Sequence, residues 1–97
     1  MKLVWSKRAQ ADLTDIGEFI ARHAPDNARK HVQLLVDRAK QLVQFPQSGR
    51  VVPEFREDDL REIIEGHYRI VYEIDVAAKT ITILTVFEAH RLIVLPK

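Results

Sequence analysis

The residues of this sequence best equipped for chemistry lie in its second half: Glu54, Arg61, His67, Arg69, Glu88, His90 and Arg91. Carboxylates, imidazoles and guanidinium groups together suit metal-free cleavage of an RNA phosphodiester. That reaction needs a base for the 2′-hydroxyl, an acid for the leaving oxygen and cations for the phosphate. Any small domain with 30% charged residues offers a comparable set, so each member also has a plainer reading. His67 follows Gly66 and reads first as a turn histidine. Arg69 and Arg91 stand evenly between the two readings, because an arginine on a strand must find anions or solvent.

Other catalytic devices are missing. Gly17, Gly49 and Gly66 lie too far apart to cradle a phosphate, and the four histidines form no His-Glu-x-x-His helix. Glu88 and His90 would supply fewer ligands than a metal site needs. Ser6 and Ser48 suit a helix cap and a turn rather than a nucleophile elbow. No metal or cofactor is expected. The absence of cysteine excludes disulfides and thiolate sites and is compatible with the cytoplasm. No apolar run approaches the roughly 18 residues of a membrane span, and Met1–Ser6 turns polar too soon for a signal peptide. A net charge of +1 leaves the question of nucleic acid to the placement of charge.

The elements that must position these residues are legible from periodicity. Lys2–Trp5 reads as a strand ending at Ser6, a helix N-cap. Ala9, Leu13, Ile16 and Ile20 make one face of a helix, with Gly17 marking close packing against a neighbour. That helix stops near His23-Ala24, before Pro25. A second, with Ala28, Val32, Leu35, Ala39 and Leu42 as its stripe, runs to Phe45-Pro46. So short a connection makes the pair an antiparallel hairpin. Gln47–Arg50 is a turn, Val51-Val52-Pro53 is extended, and Glu54–Asp59 is a charged loop. Strands follow at about Leu60–Ile64, Tyr68–Ile74 and Thr80–Phe87, joined by turns short enough for an antiparallel meander. Tyr68, Ile70, Tyr72 and Ile74 point one way and Arg69, Val71 and Glu73 the other, so the middle strand is central and covered on both faces. The expected chain is one α+β domain over residues 1–97, an N-terminal strand, a helix hairpin and a three-stranded meander. The apolar end Leu92-Ile93-Val94-Leu95 either packs on the sheet or offers surface to a partner.

Nearly the whole chain resembles the RelE/ParE superfamily, the toxins of bacterial type II toxin–antitoxin pairs. The matching residues are Trp5 with Ala11–Ile16, the turn Phe45–Arg50, Val52-Pro53-Glu54, Leu60–Ile63, Tyr68–Tyr72 and Ile83–Arg91. The resemblance implies the β-α-α-β-β-β fold and two alternative activities. RelE-like members cut mRNA on the ribosome, which here would employ Arg61, Arg69, His90 and Arg91 with Glu54 as base, a metal-independent endoribonuclease. ParE-like members inhibit DNA gyrase and are not nucleases. The helix hairpin and Ser48-Gly49-Arg50 resemble the ParE branch, and the tyrosine that RelE nucleases carry near the C-terminus is absent. Glu88 stands where many ParE-like toxins have histidine, and His90-Arg91 replaces their arginine pair. The family also implies a cytoplasmic hetero-oligomer with a cognate antitoxin, whose docking candidates are Leu3, Trp5, Leu92 and Val94.

The leading expectation is therefore a ParE-like gyrase inhibitor. The alternatives are a ribosome-dependent nuclease and a degenerate module that only binds antitoxin. The nuclease reading predicts that Arg69→Ala or His90→Ala abolishes growth inhibition with antitoxin binding nearly intact. Full toxicity of both variants on induction would make these residues structural.

Overall fold

The computed structural model describes residues 1–90, so Arg91, Leu92 and Val94 lie outside the described residues. Strand β1 (Lys2–Trp5) leads into helix α1 (Lys7–His23). The Ser6 hydroxyl oxygen accepts the Ala9 N–H at 3.0 Å and donates to the Leu84 carbonyl at 3.0 Å. One side chain thus caps the helix and ties its start to the far end of the chain. The Ala24 N–H closes α1 on Ile20, and Pro25, which has no N–H to leave unpaired, opens α2 (Pro25–Lys40). At Gly17 an added Cβ would lie 3.3 Å from Val32 Cγ2, the close helix–helix approach that the sequence suggests.

The second helix departs from expectation at its end. It tightens at Gln41–Val43 into a 3-10 turn, and the N–H groups of Gln44 and Phe45 both reach the Gln41 carbonyl. Pro46 disfavours helical geometry at Phe45, so the last turn narrows instead of continuing. A two-residue strand, β2 (Arg50–Val51), then pairs with β3 (Leu60–Glu65). It ends where Pro53 removes a ladder donor.

Strands β3, β4 (Tyr68–Asp75) and β5 (Thr80–Glu88) form the expected meander. All five strands join one mixed sheet in the order β1-β5-β4-β3-β2, with β1 parallel to β5 and β4 at the centre. The arrangement is richer than the expected strand plus meander, but the α+β class is the same. Between β4 and β5 the register skips Leu84, because Val71 faces Thr85 while Tyr72 faces Ile83. This bulge lets Ile81, Ile83 and Val86 all reach the helices, although their spacing is not uniformly two.

The sheet separates two cores. Ile63, Ile70, Tyr72, Ile74, Ile81, Ile83 and Val86 pack against Ala9, Ile16, Leu35, Ala39 and Leu42 of the helical layer. On the other face Val52, Leu60 and Val71 cluster with Phe55, Leu84 and Phe87, so the segment after β2 covers part of what would be an open sheet.

Tyr72 joins the helical core to the turn before β2. It is fully buried, its hydroxyl donates to the Pro46 carbonyl at 2.6 Å, and its oxygen accepts the Gly49 N–H at 3.0 Å. A Cβ at Gly49 would lie 2.5 Å from the Glu62 carbonyl oxygen and 2.6 Å from the Tyr72 hydroxyl, so only glycine fits. Burial pushes the Tyr72 phenol above its ordinary value of 10.0, against smaller lowering by Gly49 and Arg61. Its neutral form is favoured by the fold, so this contribution to stability is complete below that value and is lost as pH rises beyond it. Tyr72→Phe leaves the buried Gly49 N–H unpaired and should cost about 1–3 kcal/mol, measured by urea unfolding. A change within error would show that the turn is held by other contacts.

Candidate functional site

Arg69 is the second residue of β4, the central strand of the sheet, on the face away from the helices. Its relative exposure is 4%, and strand alternation places Glu62 and Ile64 of β3 beside it on that face. The guanidinium is fully engaged. Nη1 and Nη2 donate to the two oxygens of Glu54, each at 2.9 Å, and Nε donates to Glu62 Oε1 at 2.9 Å. Nη2 also bonds to Glu62 Oε1. The same cation lies 5.0 Å from the centroid of the Phe87 ring. Glu62, only 1% exposed, is shared: its Oε2 accepts Nε of Arg50 at 2.7 Å and Nη2 at 2.6 Å. Arg69 is held above the usual arginine range chiefly by the Glu54 hydrogen bonds, with burial opposing and Glu62 adding. Two carboxylates and two guanidinium groups therefore balance locally.

The other candidate residues sit elsewhere. Arg61 faces Tyr72 across the ladder, on the helix side of the sheet. Its Nε reaches the Asp58 carbonyl at 2.9 Å, Nη2 the Asp58 carboxylate at 3.2 Å, and Nη1 the Gly49 carbonyl at 3.0 Å. It clamps the loops on either side of β2. His90 lies just beyond β5, 77% exposed, with Nε2 3.2 Å from Glu88 Oε2. Glu88 faces Tyr68, whose phenol is pushed up by burial and, to a lesser degree, by that carboxylate. The His67 carbonyl accepts the Ala89 N–H at 2.7 Å, which draws the two chain turns together. The structure thus unites Glu54 with Arg69, sends Arg61 to the opposite face and leaves His90 at the rim. Among the described residues no group of His, Asp and Glu is arranged to hold a metal ion.

Sequence reasoning missed Glu62, the residue on which this network turns. The signal was present, since Glu62 alternates with Arg61 and Ile63 and follows Leu60 by two, which places it on the buried face. Nothing local identified the strand opposite it.

Two surfaces offer places for a partner. Among the described residues β1 has a neighbour on one side only; its Leu3 and Trp5 side chains are half-buried against the helical core, so the feature it offers is the outer backbone edge. The outer side of the hairpin carries a groove of about 490 Å³ lined by Leu13, Gly17, Ala21, Ala28 and Val32 among others. It exists because glycine and alanine sit where the helices meet.

Comparison with known proteins fits this architecture. Residues 3–93 match the family model described as the ParE toxin of a type II toxin–antitoxin system, parDE. The chain is 33% identical over 92 residues to the putative toxin Y4kP of Sinorhizobium fredii, covering 93% of this chain and 90% of that protein. It is 33% identical over 63 residues to the toxin RelE2 of Caulobacter vibrioides, covering 65% and 67%. A chain from the chromosomal ParDE system of P. aeruginosa superposes with a TM-score of 0.75 at 26% identity, covering 91% and 95%. The isolated E. coli RelE toxin shares the fold at a TM-score of 0.67 and 16% identity, covering 94% and 86%.

The ion-pair network makes Arg69 a difficult residue to probe by truncation. Arg69→Ala leaves the buried Glu62 carboxylate to the more exposed Arg50 alone, with Oε1 unpaired, and should cost about 3–5 kcal/mol, whereas Arg69→Met combined with Glu62→Leu should cost less than Arg69→Ala alone. Urea unfolding of the two variants checks this; a double variant destabilised as much as Arg69→Ala would show that the cost does not come from the buried carboxylate. Loss of growth inhibition in Arg69→Ala then reports the fold, and exposed His90→Ala is the cleaner probe.

Proposed function

This chain belongs to the ParE toxin family of type II toxin–antitoxin systems, and we propose that it acts by binding DNA gyrase and is neutralised by a cognate antitoxin. The observation that carries this reading is the state of Arg69. A phosphate-binding arginine must present its donors to the ligand, and here Glu54 and Glu62 occupy them. The remaining nuclease candidates in the described chain, Arg61 and His90, lie on the opposite face and at the rim. General acid–base work needs groups within reach of one substrate, and that dispersal favours a surface that binds over one that cleaves.

The antitoxin reading rests on the β1 edge and the hairpin groove. An extended segment adding to β1 gains backbone hydrogen bonds, and an apolar helix face fits the groove of Leu13, Ala21 and Val32. A partner disordered on its own would fold onto both. Solved relatives include the RelBE2 toxin–antitoxin complex of Mycobacterium tuberculosis. No helix among the described residues is long and apolar enough to cross a membrane, and we place the chain in the cytoplasm with its target.

The test is to induce the chain alone and follow plasmid supercoiling, the SOS response and mRNA decay together. The expected result is altered supercoiling and SOS induction with ordinary transcript lifetimes. Rapid transcript cleavage with normal supercoiling would overturn the gyrase reading in favour of ribosome-dependent mRNA cleavage, and unimpaired growth would leave an antitoxin-binding module.

A further inference from the structure

Large apolar side chains stand in water at the end of the sheet farthest from the β3–β4 turn. Phe45 is 63% exposed, Val76 66% and Met1 41%. With Pro46 and Ile74 they line one surface pocket of about 430 Å³. Sheet ends commonly show single apolar residues, but a contiguous group with a polar border marks a protein-binding surface.

The side toward β3 and β4 is acidic. Ile74 and Val76 also line an adjoining depression, whose other walls include Glu57, Asp58, Asp59, Glu73 and Asp75. Asp58 pairs with Arg61 and Asp75 accepts the Ala78 N–H, yet among the described residues no lysine or arginine lines either depression. The surface is also firmly held. The Tyr72 hydroxyl grips Pro46, Ser48 N–H closes on the Phe45 carbonyl at 3.1 Å, and Ile74 N–H reaches the Asp59 carbonyl at 2.8 Å. Binding there would order little that is not already ordered, which keeps its entropic cost low.

We propose that this end surface binds a protein partner through a segment that presents an apolar side chain flanked by lysines or arginines. The apolar residue enters between Phe45 and Val76, while the cations meet Asp59 and Glu73. Like charge turns away nucleic acid and anionic lipid, and the complementary charge steers a basic segment toward the pocket. The proposal is independent of which target the toxin attacks.

The experiment pans a displayed library of random 12-residue peptides on the full chain, then measures the selected peptides as free synthetic probes. The expected outcome is enrichment of an aromatic or aliphatic residue flanked by basic ones. Binding should weaken about tenfold or more in Phe45→Ser and in Val76→Ser, as for an anchor residue in a pocket, and in Asp59→Lys with Glu73→Lys. It should also weaken as salt rises. Thermal melting confirms that the variants are folded, and amide shifts in NMR spectra should centre on Phe45, Ile74 and Val76. The proposal is overturned if the selected peptides lack a basic bias or bind all variants equally. It is also overturned if the shifts fall elsewhere, if a short single-stranded RNA competes for these residues, or if sedimentation shows a dimer of the chain that Phe45→Ser or Val76→Ser dissociates.

Discussion

A buried ion pair at the middle of the sheet governs the rest of the molecule. Glu62 and Arg69, both nearly inaccessible to water, lie on adjacent strands of the same face. Removing two charges from water costs several kcal/mol per ion unless the geometry is close and the remaining donors are met. Here they are met, by Glu54 on one side, Arg50 on the other and the Phe87 ring beside the guanidinium. The pair consequently dictates more than its own contact. A slip of β4 by one residue would turn Arg69 into the helical core and expose Ile70, so the charge fixes the register. Glu54 must sit over the sheet to complete the fork, which draws the segment after β2 across a face that would otherwise lie open. Arg50 reaches the same carboxylate from the edge and holds β2 in place.

The opposite face is secured by a phenol and a second guanidinium. Tyr72 reaches through the helical core to the Pro46 carbonyl and the Gly49 amide, and Arg61 grips the Gly49 and Asp58 carbonyls nearby. Both faces of the central strands are thus committed to holding loops. The surfaces left open to a partner lie at the periphery: the outer edge of β1, the seam between the helices and the end around Phe45 and Val76. Binding residues on loops carried by a rigid scaffold are a general arrangement, and here the rigidity has a named source.

How much of this was legible in the chain depends on the range of each interaction. The helices, the three long strands and the two-faced character of β4 follow from local periodicity, which survives folding because each face meets a different core. The parallel pairing of β1 with β5 does not, since it joins residues some 78 positions apart, and short apolar runs name no partner. The bulge at Leu84 was equally hidden, because Ile83-Leu84-Thr85 reads as regular alternation until Tyr72 and Val71 set the register. Arg69 could be placed on its face but not assigned a role. Its burial depends on Glu62 and Glu54, and proximity between those three is a property of the fold.

The same dependence clarifies what Arg69 can do. An anion approaching it meets two carboxylates first, and to replace Glu54 it would have to surpass a bidentate contact already formed in a site of low dielectric. Even then Glu62 would remain, inaccessible and charged, repelling the newcomer. An arginine in that position is well suited to organising strands and poorly suited to gripping a ligand that must come and go. Residues such as Phe45, Val76 and His90 are placed the opposite way. They contribute little to the core, they are open to solvent, and substitutions there alter what the surface presents without loosening the sheet. Differences in activity between chains that share this framework are therefore expected at such rim positions, while the central pair stays with the fold.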